Sequence, residues 1–182
     1  LMVGCGLVFF GASSFFAGWV MPLTGGPNPT VTLHNLGALA AGICQLVSAH
    51  FFLQELAGVS EIKFRVKRYG ILYAGIIVLV SVTAVLAFRG SLPVFFDPLT
   101  GASLLRQIVL GGAICLFVVA GLAFVEIYAT IKTEFAFWYG MALWLIAVGL
   151  IGVLLQPSVG SALGWAGLSA QYIGCVYLIF AF

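Results

Sequence analysis

The stretch Glu61-Ile62-Lys63-Phe64-Arg65-Val66-Lys67-Arg68 holds four of the chain's seven Lys and Arg residues and lies between two long apolar runs. Short loops rich in Lys and Arg stay on the cytoplasmic side of a membrane protein. Lys63, Arg65, Lys67 and Arg68 therefore act as topology determinants, and the facing of every other segment follows from them.

The apolar runs set the class. Of 182 residues, 63% are hydrophobic and 7% are charged, against roughly 25% charged in a soluble domain. Mean hydropathy is +1.23. The sequence predicts an all-α integral membrane protein, one domain over 1–182. Six spanning helices are expected at about 2–21, 31–56, 69–88, 105–130, 135–155 and 162–182, since about 20 apolar residues suffice to cross. The segment 22–29 is rich in Pro and Gly and reads as a turn that interrupts helix. Thr30 or Thr32 is a candidate cap for the second run, and Thr100 or Ser103 for the fourth. With 57–68 inside, loops 22–30, 89–104 and 156–161 lie outside, and the sixth run ends in the cytoplasm. The net charge of +2 comes from one cluster, so no nucleic-acid partner is expected.

The four cysteines, Cys5, Cys44, Cys115 and Cys175, sit singly inside apolar runs and read as small core residues. A zinc site or a disulfide framework needs clustered thiols. No nucleotide-binding, zinc-protease or nucleophile-elbow pattern occurs, and no catalytic residue is assigned. The chain opens with Leu-Met-Val-Gly and ends with Leu-Ile-Phe-Ala-Phe, both inside apolar runs. It is expected to be a segment of a longer polypeptide.

Polar residues within apolar runs are the functional candidates. On the outer side these are His34, Asn35, Asp97, Arg106 and Gln156, which could line a cavity for a small polar ligand. The bland alternatives are an Arg106–Asp97 ion pair that closes the loop and a His34 satisfied by loop backbone. On the inner side His50, Glu55 and Glu126 form a second polar set, read either as a signalling or proton-handling cluster or as interfacial anchors. Gln171 and Tyr172 lie in the middle of the sixth run, where a Gln commonly bonds across helices. His34 and His50 are 16 residues apart, about 24 Å along a helix. They cannot be the two axial ligands of one haem. A one-histidine haem would need Met, Tyr or Cys as its partner, so haem ranks last and no cofactor is assigned.

The last third carries a resemblance. Leu105-Arg106-Gln107-Ile108-Val109-Leu110-Gly111 opens the fourth run, and Phe137-Trp138-Tyr139-Gly140 and Leu150-Ile151-Gly152-Val153-Leu154-Leu155-Gln156 lie in the fifth. Ser158-Val159-Gly160-Ser161-Ala162-Leu163-Gly164-Trp165 and Gln171-Tyr172-Ile173-Gly174-Cys175-Val176-Tyr177-Leu178 follow. Over 105–182 these segments resemble the N-terminal multi-helix membrane sensor regions of prokaryotic signalling proteins, and His34-Asn35-Leu36-Gly37 extends the match. The resemblance implies a prokaryotic inner-membrane location and a cytoplasmic C-terminus. It implies PAS or GAF modules and a histidine kinase of a two-component system further along the same chain. It makes Arg106, Gln156, Gln171 and Tyr172 the matched polar positions. A phospho-accepting histidine and an ATP-binding domain are lacking here, so this segment is no kinase alone. The expected partners are the bilayer, those signalling modules, an unknown small ligand and a second copy in a homodimer. The competing readings are a small-solute transporter or channel, and behind it a haem- or quinone-binding subunit.

Overall fold

The computed structural model describes residues 2–24, 27–58, 66–97, 101–158 and 160–182. Among them are six helices: α1 Met2–Thr24, α2 Pro27–Leu56, α3 Val66–Phe88, α4 Leu104–Ile131, α5 Glu134–Leu155 and α6 Ala162–Ala181. A two-stranded antiparallel hairpin, β1 Phe96–Asp97 with β2 Gly101–Ala102, precedes α4. Four helices, α2, α4, α5 and α6, are long and apolar enough to cross a membrane. Within α1 and α3, Met2–Gly18 and Tyr73–Leu86 are shorter apolar stretches. The chain is thus a helical membrane protein.

The expected boundaries of the last three helices agree with the structure to within a residue. Those near the prolines do not. The turn expected over 22–29 is shorter, because α1 runs through Pro22 to Thr24 and α2 begins at Pro27. The first four N–H groups of a helix have no intrahelical acceptor, so Pro27 and Pro29 cost the first turn of α2 no hydrogen bond. Neither Thr30 nor Thr32 caps α2. Thr30 donates to the Ala17 carbonyl of α1 at 3.1 Å, and Thr32 donates back to the Asn28 carbonyl at 2.8 Å. The basic loop is also shorter: Lys67 and Arg68 fall in the first turn of α3, while Lys63 and Arg65 lie outside the described residues. The hairpin departs from the all-helical expectation. It forms where Pro93 disfavours helix and where Gly101 takes φ 82°, a backbone state glycine adopts at little cost.

The contacts divide the chain into two compact units. One comprises residues 1–44 and 63–110, the other 45–62 and 111–182. In the first, α1 packs on α3, and Ala17, Leu33 and Ala84 form a small core with Leu92 of the following connection against it. α1 and α2 approach closely at Gly37, where a Cβ would collide with Ser13.

In the second unit α5 and α6 form the most extensive helix pair. Glycine sets their separation. A Cβ on Gly152 would stand 2.8 Å from the Gly167 Cα, and one on Gly167 would stand 2.6 Å from the Gly149 carbonyl oxygen. Helices in lipid gain little from burying apolar surface, so backbone-to-backbone approach at small residues supplies the contact. Ser161 caps α6 by accepting from the Gly164 amide at 3.3 Å. The helix entrance is thereby fixed one turn before the crossing.

Substitution Gly167→Val is expected to destabilise the detergent-solubilised protein by about 1–3 kcal/mol through overpacking. Gly111→Ala, where a Cβ meets nothing within 4 Å, is expected to be neutral or stabilising by up to about 1 kcal/mol. Thermal unfolding followed by circular dichroism separates the two.

Candidate functional site

Four of the sequence candidates, His34, Asn35, Asp97 and Arg106, fall in the first unit, around the connection from α3 to α4. Asn28 holds this connection in place. Its side-chain oxygen accepts from the amides of Phe95 at 2.7 Å and Phe96 at 2.9 Å. A single carbonyl in the first turn of α2 thus satisfies two successive backbone donors that have turned away from helix. Phe95 is 1% exposed, so the apolar patch 92–96 is packed. Past the hairpin, the Ser103 amide donates to the Phe95 carbonyl at 3.0 Å, and the Ser103 hydroxyl accepts from the Arg106 amide at 3.2 Å. Of the two candidate caps, Ser103 caps α4; Thr100 lies outside the described residues.

These contacts position Arg106 in the first turn of α4. It is fully buried, and its guanidinium carbon stands 5.9 Å from the Phe96 ring centroid, within cation–π range. Asp97 is half-buried and pairs in the hairpin ladder with Gly101.

His34 leans on α1. Its Nδ1 is 3.3 Å from the Ser14 hydroxyl, and its ring lies 5.9 Å from that of Phe10. Its Nε2 is buried and makes no hydrogen bond. Asn35 is 0% exposed, and neither its amide nitrogen nor its oxygen has a partner. An unpaired buried amide costs about 1–3 kcal/mol in proteins, and native structures contain few of them.

The remaining candidates belong to the second unit. Gln156 is half-buried just after α5 and packs near Gly164. Gln171 is 5% exposed, lies against Gly149 and leaves its Nε2 without an acceptor. Its neighbour Tyr172 is 67% exposed and faces outward. Of the inner set, His50, Glu55 and Glu126 are all exposed. His50 Nε2 accepts from the Gln54 side-chain amide at 3.0 Å, one turn away, and no hydrogen bond or ion pair links the three to one another.

The second unit also holds a polar pair not anticipated from the sequence. Buried Tyr139 donates to the Gln45 side-chain oxygen at 2.6 Å. Around Tyr139 stand Phe124 at 4.7 Å, Phe135 at 5.2 Å and Phe182 at 6.3 Å between ring centroids. Phe52 joins the group through Phe124 and Phe135. Phe182, just after α6, is thereby packed against Phe135 and Tyr139 of α5. The cysteines are free thiols, and no group of three metal-ligating side chains occurs among the described residues.

No family model matches this chain, and no curated protein or solved structure shows significant similarity to it.

Asn28→Ala is expected to release the Phe95 and Phe96 amides and cost about 1–3 kcal/mol for the donors left unpaired. Amide hydrogen exchange should rise at 95–96. Asn28→Asp retains the acceptor oxygen and should preserve their protection.

Proposed function

We propose that this chain is a six-span membrane sensor domain that binds a small polar ligand at His34 and Asn35 and relays its presence to a cytoplasmic output. The observation that carries this reading is Asn35: it is fully buried, with both amide atoms unpaired. At the preceding position, His34 Nε2 is equally unpaired. Such an arrangement is costly when empty. A ligand with its own donor and acceptor would lower that cost on binding. Residues held only for packing would favour an apolar side chain here.

In this reading α1 and α3 cross the bilayer with the other four helices. The basic loop lies in the inner-membrane cytoplasmic face of a prokaryotic cell. The Asn28-held hairpin lies outside, and α6 delivers its end to the cytoplasm. The resemblance to sensor regions supports PAS or GAF modules and a histidine kinase as the output. A small ligand-driven displacement of helices is enough to drive it when the two states differ by a few kcal/mol.

The test is a thermal-shift series in lipid nanodiscs with small carboxylates, amides and polyols. A ligand at 100 times its Kd stabilises by about 2.7 kcal/mol. Wild type is expected to respond to at least one class. Asn35→Leu is expected to be more stable without ligand and to lose the response. Equal shifts in both proteins, or none in either, would refute the site.

Topology is checked separately. In a chain with its four cysteines replaced by alanine, a membrane-impermeant maleimide should leave Ser60→Cys, which keeps every basic residue of the loop, unlabelled in intact cells and label it after lysis. Labelling in intact cells would overturn the orientation.

A further inference from the structure

A cavity of about 200 Å³ lies among α1, α2 and α3 in the first unit. Its wall is formed chiefly by Phe9, Leu33, Leu36, Ala40, Leu79 and Val80. Two hydroxyls, those of Ser13 and Thr83, also line it. Both are used within their own helices: Ser13 donates to the Phe10 carbonyl at 3.2 Å and Thr83 to the Leu79 carbonyl at 2.8 Å. The cavity therefore offers a ligand little besides hydrocarbon. Apolar cavities of about 150 Å³ stay dry and take up a benzene-sized guest.

The surroundings of the cavity identify the guest. Leu79 lines it and is also 54% exposed. Around it on α3, Ile77, Val78 and Val82 are exposed. No charged residue occurs on α3 between Arg68 and Arg89. At this position on a spanning helix, the neighbouring solvent is bilayer hydrocarbon.

We propose that this cavity binds one acyl chain of a membrane lipid, holding a segment on the order of seven or eight carbons, by proportion to the benzene-sized guest. The assignment rests on α3 crossing the membrane, as in the six-span reading. It is separate from the His34–Asn35 site, since its lining is apolar and its hydroxyls are already bonded. Gly37 is the constriction at which α1 and α2 meet, so it is Ala40 and Val80, from two different helices, that can be enlarged into the space.

The experiment uses phosphatidylcholine spin-labelled on its acyl chain, in vesicles containing the protein. Electron paramagnetic resonance reads the immobilised fraction, and flotation with alkaline carbonate washing reads insertion. Wild type is expected to be carbonate-resistant and to immobilise about one chain per protein beyond the fraction left in the variants. Ala40→Leu and Val80→Phe should each abolish that increment while still floating. Thr83→Val should retain it. An inserted wild-type protein whose immobilised fraction is unchanged by both filling variants holds only boundary lipid, and the proposal falls. Loss of the increment in Thr83→Val would mark a polar ligand and overturn it equally. Extraction of the wild type by carbonate would overturn the membrane-spanning reading itself, a result distinct from insertion without a bound chain.

Discussion

A backbone amide buried away from water must find an acceptor inside the protein, so each buried departure from helix has to supply one. The connection from α3 to α4 meets this demand through Asn28. Its oxygen takes the amides of Phe95 and Phe96, which allows the chain to leave helical pairing while Phe95 remains buried. With those two residues fixed, the Phe95 carbonyl receives Ser103, Ser103 caps α4, and Arg106 enters the interior beside Phe96. The connection and the entrance to α4 are thus organised from one side-chain carbonyl. The second unit meets the same demand differently, with helices that run nearly uninterrupted and glycines that let their backbones touch.

Much of this was legible in the sequence, for a physical reason. In α4, α5 and α6, charged residues lie near the ends and proline lies outside, so composition alone brackets each helix. Ser103 stands just before an apolar run, where a cap is needed. Legibility failed at 22–29 and 92–103. Pro27 and Pro29 look like helix breakers, and only their place in the first turn makes them harmless. Asn28, between them, reads as part of a turn, since nothing local reveals that the donors to its side-chain oxygen lie 67 and 68 residues away. The Tyr139–Gln45 bond was hidden likewise, because two polar residues on separate apolar runs carry no mark of their pairing.

The candidate site divides along the same line. His34, Asn35 and Arg106 were visible as polar interruptions of apolar runs, and burial gives them weight. Tyr172 was equally visible but faces outward beside the buried Gln171, since adjacent helical residues point about 100° apart. Polarity in a sequence shows where cost is being borne. Only packing shows whether the structure has answered it, as with Ser14 at His34 Nδ1, or has left it unanswered, as with Asn35.

The clamp at Asn28 also has a chemical lifetime. An asparagine amide ages when the backbone nitrogen of the next residue attacks the side-chain carbonyl and closes a succinimide ring. Here the next residue is Pro29, whose nitrogen carries no hydrogen, so that route is blocked. Asn28 Oδ1 is further engaged by two backbone donors. The proline that disguised this turn in the sequence therefore shields from slow deamidation the carbonyl on which the connection depends.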